Sequence, residues 1–318
     1  MPGATEDGGL VALLDFGSNA VRFVLARVKP GTGFRVLRQE RSQTRLGGGR
    51  PGTLPPAAVD DTLRAVRRFL RDIRRDHADP GDEQPFKIVA IATAAVREAE
   101  NRERLLGPLR REEGIEVRVL SGAEEARLGA SAAIEDVPKL DGVVADLGGG
   151  SLQLTSVRGG RIAGTASVPI GTVRMTRAFL HGDPPEPREL RQLRAEIRAG
   201  LDGALPPPRR GDEMVGLGGT IRTLARMYLS EHRGRRRHRH GMRIGQADIT
   251  AIRARLEAAP ARERRRFRGL KAERVDTILA GAVIVEETLM YGGYLTMVVS
   301  TRGVRDGLLL REAFGTTR

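Results

Sequence analysis

The sequence predicts an α/β protein made of two related domains. Three observations support this prediction: the chain has 318 residues, its strand and helix patterns alternate, and one pattern occurs in both halves. The repeated pattern is an apolar run that ends in aspartate, then a glycine-containing turn, then a second apolar run. It lies at residues 13–22 and again at 144–154, so Asp15 and Asp146 are predicted to be equivalent positions of a duplicated unit.

The first half contains the elements of one unit in order. Three consecutive strands are predicted at 10–15, 21–29 and 34–41. The Gly- and Pro-rich segment 43–56 is predicted as a loop, and apolar residues recurring every three or four positions over 57–77 predict an amphipathic helix. The remaining elements are a strand at 87–92, a short helical segment ending near Asn101, a strand at 115–120 and a helix from Ser121 to about Ile134.

The second half repeats this plan. Strands are predicted at 143–147, 152–158 and 161–168, followed by a helix at 171–180 and another over 190–201. The chain then continues with a strand at 214–217, a helix at 221–229, an apolar helix at 275–290, a strand at 294–300 and a short closing helix. We expect residues 1–137 to form the first domain and residues 138–318 the second.

The glycine turns of the two repeats are candidate phosphate sites. The successive glycines Gly148, Gly149 and Gly150 before Ser151 leave backbone N–H groups that can donate to a phosphate, and Asp146 can hold the Mg²⁺ that accompanies it. Two such loops facing each other across a cleft between the domains would hold a phosphate from both sides. An ordinary glycine-rich hairpin is the alternative for either loop alone.

Three further positions are candidates because they follow predicted strands. Arg97 lies just past a strand end, where ligand-binding groups gather in α/β sheets, although a surface arginine is the alternative in so Arg-rich a chain. Glu124 fits a capping box with Ser121, whereas Glu125 is not needed for that cap and can accept a proton from water. Glycines before a helix make residues 218–220 a third candidate phosphate or nucleotide contact.

Composition restricts the class of ligand. The net charge of +14 attracts polyanions, while an aromatic content of 3% and the absence of Trp argue against stacking platforms for nucleic acid, leaving only nonspecific binding of it. No Cys is present, which excludes thiolate metal sites, and the five His lack metal-ligand spacing. No apolar run approaches the ~18 residues that span a bilayer, so we expect a cytoplasmic protein without a membrane partner. The Arg-rich segments 233–243 and 262–268 either line a track for a polyanion or are solvated.

The order of elements, given twice, is the duplicated ribonuclease-H-like arrangement of the actin, sugar kinase and Hsp70 superfamily. The chain also resembles the exopolyphosphatase and guanosine pentaphosphate phosphohydrolase (Ppx/GppA) family in its short two-domain form. The segments that carry this resemblance are 15–19 with Arg22, 92–97, 121–128, 146–151, 218–220 and 303–307.

The resemblance implies hydrolysis of a terminal phosphoanhydride of inorganic polyphosphate or guanosine pentaphosphate. It implies that Glu125 is the general base, that Asp146 and Arg97 are also catalytic, and that Asp146 and Asp15 hold Mg²⁺. The residues expected to bind phosphate are Gly17, Ser18, Asn19, Arg22, Gly148, Gly149, Gly150, Ser151, Gly218, Gly219 and Thr220.

Three positions depart from the family pattern. Gln153 stands where the family has an acidic residue, and Ala20 and Leu152 replace hydroxyl residues. A Gln keeps an oxygen that can orient water but loses the charge that strengthens Mg²⁺ binding. The alternatives to a hydrolase are therefore a catalytically weak polyphosphate- or nucleotide-binding protein, which Gln153 favours, and a kinase or ATPase of the same superfamily. The choice between the two substrates stays open. The oligomeric state also stays open, and a homodimer is one alternative.

Overall fold

The computed structural model describes residues 8–77, 86–232 and 239–315. These residues form two compact units. The first runs to Ser121 and resumes at Arg305, and the second is Gly122–Val304. The predicted boundary lies between residues 137 and 138. The observed division differs from it at two helices: the helix that begins at Gly122 belongs to the second unit, and the C-terminal helix belongs to the first.

The first unit contains a five-stranded mixed sheet in the order β3-β2-β1-β4-β5. Its strands are β1 (Gly9–Phe16), β2 (Val21–Lys29), β3 (Gly33–Ser42), β4 (Lys87–Ala92) and β5 (Val117–Val119). The strands β1, β2 and β3 pair antiparallel, whereas β4 runs parallel to β1 and β5 parallel to β4. Its first three helices are α1 (Pro56–His77), α2 (Ala94–Arg97) and α3 (Glu103–Glu113).

Helix α1 covers one face of this sheet with its apolar stripe. Val66, Phe69 and Ile73 are buried in one cluster with residues of β1 and β2, and Phe69 stacks on Phe23 with ring centroids 4.7 Å apart. The predicted loop 43–56 contributes Leu54 to the same core; the Asn101 side chain accepts a hydrogen bond from the Leu54 N–H at 2.8 Å and donates one to its carbonyl at 2.9 Å. The loop is therefore fixed to the unit at both of its apolar residues, Leu46 and Leu54.

The second unit contains a six-stranded mixed sheet in the order β10-β11-β9-β6-β7-β8. Its strands are β6 (Gly142–Leu147), β7 (Leu152–Arg158), β8 (Arg161–Val168), β9 (Glu213–Leu217), β10 (Met242–Gly245) and β11 (Thr296–Val299). The remaining helices of the chain are α4 (Gly122–Asp136), α5 (Thr172–Phe179), α6 (Pro187–Leu201), α7 (Gly219–Glu231), α8 (Gln246–Ala258), α9 (Ala261–Arg264), α10 (Ile278–Tyr291) and α11 (Val304–Phe314).

The two sheets repeat one topology. In each, three consecutive antiparallel strands are followed by strands that lie parallel to the first of the three, so β8-β7-β6-β9-β11 repeats the order β3-β2-β1-β4-β5. β10 adds an antiparallel edge strand to the second sheet. The repeat confirms the predicted duplicated ribonuclease-H-like fold, and it makes β1 and β6, which end with Asp15 and Asp146, equivalent strands.

Helices α4 and α11 account for the shifted boundary. α4 packs on β6, β7 and β8, where Ala130 and Ala133 join the buried cluster of Val144 and Val215, so it belongs to the second unit. α11 returns to the first unit: the Gly31 N–H donates to the Ala313 carbonyl at 2.8 Å, and other residues of α11 contact β1 and β4. Neither association is visible in local sequence, because each joins elements that are distant along the chain.

Two predictions about the Arg-rich segments have different outcomes. Residues 233–238 lie outside the described residues, and Met242 and Arg243, which end the first segment, belong to β10. In 262–268, Arg264 is buried and its Nε donates to the Leu256 carbonyl at 2.8 Å, so this arginine packs inside the second unit. None of the helices in the described ranges combines the length and apolar character needed to cross a bilayer.

Candidate active site

In the first unit, Asp15 lies between two arginines. It is the last residue but one of β1, directly opposite Arg22 of β2, and is 8% exposed. Its Oδ2 is 3.7 Å from Nη1 of Arg22 and 3.5 Å from Nη1 of Arg305 on α11. Two guanidinium groups repel a metal cation, so Asp15 is better suited to orienting these arginines than to the Mg²⁺ role expected from the sequence.

The turn after β1 is held by the segment that follows β3. The Ser18 carbonyl accepts a hydrogen bond from the Gly47 N–H at 2.7 Å, and the Asn19 carbonyl accepts one from the Arg45 N–H at 3.2 Å. The Gly17 N–H donates within the turn, to the Ala20 carbonyl at 3.2 Å. Gly17 therefore shapes the turn, and the N–H groups of Ser18 and Asn19 are its candidate phosphate donors.

Arg97 lies at the same edge of this sheet as Asp15, because β1 and β4 run parallel and α2 follows β4 directly. Its Nη1 donates to the Leu120 carbonyl at 2.9 Å, which ties the side chain to the segment after β5. The guanidinium is half-buried. The first unit thus gathers Asp15, Arg22, Arg97 and Arg305 at the carboxyl ends of its parallel strands, as expected for a ligand site in an α/β sheet.

In the second unit, a row of polar side chains crosses three strands. Asp146 of β6 faces Gln153 of β7, and Gln153 faces Ser167 of β8. Gln153 is 1% exposed, and its Nε2 donates to Oγ of Ser151 at 2.6 Å and to Oγ of Ser167 at 3.2 Å. The Gln153 amide is therefore fixed beside Asp146 by two serine hydroxyls.

The Asp146 carboxylate lies between two glycines. A β-carbon on Gly129 of α4 would be 3.1 Å from Oδ2, and one on Gly218 would be 3.1 Å from Oδ1. Gly218 also has φ +101°, a conformation that L side chains rarely adopt. A side chain at either position would therefore crowd the carboxylate oxygens.

Glu125 lies on the face of α4 that covers the polar row. A β-carbon on Gly122 would be 2.4 Å from Cβ of Ser167, and Gly129 abuts Asp146, so residues 122 and 129 face the sheet. Residue 125 shares this face because helical residues three or four apart lie on one side. Glu125 is buried in the first turn of α4, on the face that packs against the sheet.

The triple-glycine loop is oriented by the N-terminus of α5. The Gly148 carbonyl accepts from the Thr172 N–H at 3.1 Å, the Gly149 carbonyl from the Val173 N–H at 2.9 Å, and the Gly150 carbonyl from Nε of Arg174 at 2.9 Å. In a planar trans peptide the N–H points opposite to the carbonyl that precedes it. The N–H groups of Gly149, Gly150 and Ser151 consequently point away from α5, and three successive donors of this kind form an anion-binding concavity.

Sequence reasoning missed one cation at the third loop. Arg274 comes from a 3₁₀ turn, Ala272–Arg274, and its guanidinium lies so close to Gly219 that a β-carbon there would be 1.9 Å from Nη2. Its Nη1 donates to Oγ1 of Thr220 at 3.3 Å. The charge therefore lies at the N-terminus of α7, where Gly218, Gly219 and Thr220 were expected to contact phosphate. No local signal identifies Arg274, because it is one arginine in an Arg-rich segment.

The donor set fits Mg²⁺ at one carboxylate. Among the described residues, no group of three or more His, Asp or Glu could hold a metal ion. Mg²⁺ commonly uses one or two carboxylates and completes its octahedron with water and substrate phosphate. Asp146 meets this requirement because it is half-exposed between two glycines beside the phosphate loop.

Comparison with known proteins identifies relatives of the whole chain. The model of the Ppx/GppA phosphatase family matches residues 24–314. Exopolyphosphatase 2 of Mycobacterium tuberculosis (strain H37Rv) is 29% identical over 323 residues, covering 95% of this chain and 98% of that protein. The crystal structure of the Aquifex aeolicus member of the Ppx/GppA family is 30% identical with a TM-score of 0.76, covering 96% of this chain and 97% of its own.

A further solved structure shares the fold. An exopolyphosphatase from Cytophaga hutchinsonii is 24% identical with a TM-score of 0.82 and covers 96% of this chain and 97% of its own. The family match begins within β2 and includes the strands, turns and helices that carry Asp146, the triple-glycine loop, Glu125 and Arg97. The chain is a member of the Ppx/GppA phosphatase family.

Proposed function

We propose that this protein hydrolyses the terminal phosphoanhydride of inorganic polyphosphate or of guanosine pentaphosphate. The observation that carries the proposal is the triple-glycine loop, whose carbonyls are bound by the N-terminus of α5 and whose next three N–H groups point the other way, next to Asp146. A terminal phosphate bound to these donors lies beside a carboxylate suited to Mg²⁺. Family membership supports a phosphatase of this class.

The chain's own residues supply the steps that phosphoryl transfer to water requires. Glu125 orients a water molecule and accepts its proton, the water oxygen forms a bond to the terminal phosphorus, and the bridging P–O bond breaks. The products are orthophosphate and a chain shortened by one phosphate. The loop N–H groups stabilise the charge on the phosphoryl oxygens, a role that the family resemblance also assigns to Arg97. Mg²⁺, held by Asp146, would neutralise charge on the phosphates when bound.

Gln153 favours a second candidate, a protein that binds polyphosphate or nucleotide and turns it over weakly. The amide is buried directly across from Asp146, so the charge that a carboxylate would add to the metal site is absent. The two candidates share one binding site and differ only in the rate of hydrolysis.

The deciding experiment measures Mg²⁺-dependent phosphate release from polyphosphate and from guanosine pentaphosphate by the wild type and by Glu125→Gln. Loss of a general base lowers the rate by about 10²–10⁴-fold. Glu124→Gln is the matched control, because it removes a carboxylate from the adjacent position of the same helical turn. A wild type that binds both substrates without releasing phosphate would reject the hydrolase and leave the binding protein.

A further inference from the structure

Helix α4 crosses three strands of the second sheet, from β8 over β7 to β6. At its start, a β-carbon on Gly122 would lie 2.4 Å from Cβ of Ser167 on β8. Seven residues later, a β-carbon on Gly129 would lie 3.1 Å from Oδ2 of Asp146 on β6. Seven residues of helix rise about 10.5 Å, and two strand spacings amount to about 9.6 Å. The middle of this span of α4 therefore lies over the central strand, β7.

A hydroxyl of β7 holds α4 at this midpoint. Thr155 is 1% exposed, and its Oγ1 donates to the Ala126 carbonyl at 3.3 Å. Thr155 lies on the same face of β7 as Gln153, because side chains two residues apart in a strand point to one side. Thr155 thus ties to the sheet the residue that follows Glu125, which is in the first turn of α4.

Folding needs this contact little. The Ala126 carbonyl lies inside α4, where a regular helix already gives it the N–H four residues later, so the Thr155 hydroxyl bonds to its second lone pair. Removal of the hydroxyl leaves no buried acceptor unsatisfied. A valine in its place has nearly the same shape and also favours a strand. A contact that stability can spare, next to the candidate general base, indicates a role in geometry.

Small displacements of Glu125 matter because a general base acts only within hydrogen-bond reach of the proton that it accepts. A valine methyl group in contact with the Ala126 carbonyl needs about 3.5–4.0 Å and would therefore move it by about 0.3 Å. The methyl group also lacks the direction that a hydrogen bond imposes. Glu125, the preceding residue in the same helix, would shift with Ala126.

We infer that Thr155 is a positioning residue, which acts through the first turn of α4 to place the Glu125 carboxylate beside the attacking water. Thr155 acts in this way only if Glu125 is the general base, so the inference rests on the proposed function. In that function, other groups hold phosphate and metal, namely the triple-glycine loop and Asp146, and the loop is bonded by α5 rather than by α4. Thr155 therefore affects the rate of the chemical step and not the binding of substrate.

The test compares phosphate release from polyphosphate by the wild type, Thr155→Val and Thr155→Ser. Misplacement by about 1 Å costs about 10²-fold in rate, so a shift of about 0.3 Å in Thr155→Val should lower kcat about fourfold and leave KM unchanged. Thr155→Ser keeps the hydroxyl and should restore most of the rate. The melting temperature of Thr155→Val should equal or exceed that of the wild type, which separates positioning from a structural role.

Thr165→Val is the matched control. Thr165 lies directly opposite Thr155 on β8, on the same face of the sheet, and makes no hydrogen bond to α4 within the described ranges. An unchanged kcat in Thr155→Val would overturn the inference, as would an equal loss in Thr165→Val or a loss that Thr155→Ser does not restore.

Hydrogen exchange of the peptide that covers α4 gives a second readout, which does not depend on activity. Exchange should be faster in Thr155→Val than in the wild type and in Thr165→Val, because α4 has lost a bond to the sheet. Equal exchange in the three proteins would overturn the inference. If the wild type releases no phosphate, the proposed hydrolase fails, whereas the exchange comparison still decides whether Thr155 holds α4.

Discussion

At residue 153, an amide is held where the resemblance to the family predicts a carboxylate, and the surrounding hydrogen bonds can accommodate either group. Gln153 donates to the hydroxyls of Ser151 and Ser167. Because a hydroxyl both donates and accepts, the two serines can reverse direction and donate to a carboxylate at the same distances. The site is therefore shaped for both residues, and only the charge beside Asp146 differs.

We expect Gln153→Glu to fold normally and to lower the Mg²⁺ concentration for half-maximal phosphate release on the order of tenfold, since one more negative charge lies near Asp146. Titration of activity with Mg²⁺ measures this shift. Gln153→Met keeps the length of the side chain without charge or hydrogen bonds and serves as the control. An unchanged Mg²⁺ requirement in Gln153→Glu would show that residue 153 does not act through the metal.

Tyr294 carries a hydroxyl that is buried without a hydrogen-bond partner among the described residues. Burial, with a smaller contribution from the Asp212 carboxylate, raises the pKa of Tyr294 to about 12. An unpaired buried hydroxyl costs about 1–3 kcal/mol. Tyr294→Phe should therefore increase the free energy of unfolding at neutral pH by about 1 kcal/mol, as measured by urea denaturation.

The raised pKa also predicts how this difference changes with pH. Between about pH 10, where an unfolded tyrosine ionises, and pH 12, the folded protein retains the Tyr294 proton and the unfolded chain loses it. Ionisation linked to Tyr294 therefore lowers the stability of the wild type by roughly 2 kcal/mol as the pH rises through this window, and Tyr294→Phe lacks this contribution. If the free energy of unfolding changed with pH in the same way in both proteins across this window, the raised pKa of Tyr294 would be contradicted.

At the scale of elements, the contact between the triple-glycine loop and α5 depends on the absence of a side chain at residue 171. A β-carbon on Gly171 would lie 2.3 Å from the Gly149 carbonyl oxygen. Gly171→Ala should separate the loop from α5, with a loss of about 1–3 kcal/mol of stability and a weaker affinity for phosphate. Gly164→Ala is the control, because a β-carbon on Gly164 meets no atom within 4 Å. Calorimetry measures both the stability of each variant and its affinity for phosphate.

Three helices of the second unit are joined by buried ion pairs. Glu286 and Glu287 of α10 are buried, and Arg194 of α6 contacts both, with Nη2 2.8 Å from Oε2 of Glu286. Arg198 of α6 and Arg253 of α8 complete the cluster at 2.6 Å and 3.0 Å.

Arg194→Met should destabilise the protein by about 3 kcal/mol, because it leaves buried carboxylates with fewer partners. Arg191→Met, which removes an exposed arginine from the same helix, should change stability by less than about 0.5 kcal/mol. Thermal denaturation of the two variants distinguishes these outcomes. Equal melting temperatures would show that the cluster contributes nothing beyond solvent-exposed charge.

Elements with local signals were predictable, and elements defined by distant contacts were not. The predicted bounds of β7, β8 and α1 lie within a residue of their observed ends, and α1 is marked by its apolar stripe. α3 was missed because Gly107 and Pro108 interrupt it, although burial of Leu105 and Leu109 holds it against α1. No local pattern places Arg274 at the third loop.

The candidate site follows the same rule. Asp146 and the three glycines were recognisable because a strand, a metal-binding carboxylate and a phosphate-binding turn are contiguous in sequence. The direction of the loop N–H groups was not predictable, since it is set by α5 through Thr172, Val173 and Arg174. The two arginines around Asp15 come from β2 and α11, and only the first of them is its neighbour along the chain.

At the scale of the whole molecule, the first unit is assembled from two separate stretches of chain. Leu308 and Leu309 of α11 are buried, Arg305 pairs with Asp15, and Glu312 pairs with Lys87 at 2.6 Å. We expect a chain that stops before Val304 to lose protection from hydrogen exchange in β1 and β2, because these contacts stabilise that sheet.

The same truncation should leave protection in β6, β7 and β9 unchanged, since the second unit is one continuous stretch, Gly122–Val304. Hydrogen exchange followed by mass spectrometry of peptides from both sheets measures the two effects in one experiment. Full protection of β1 and β2 in the shortened chain would show that α11 is dispensable for the first unit.

Because α11 is C-terminal but packs on the first unit, it also affects the order in which the two units can fold during translation. The ribosome releases β1 to β5 early, yet the helix that pairs with Asp15 and Lys87 emerges only after every residue of the second unit. The second unit can fold as soon as its own stretch has left the exit tunnel, whereas the first must wait for α11, although all five of its strands have already emerged. Chaperones that recognise nascent chains should therefore be retained longest on the amino-terminal half, although it is synthesised first.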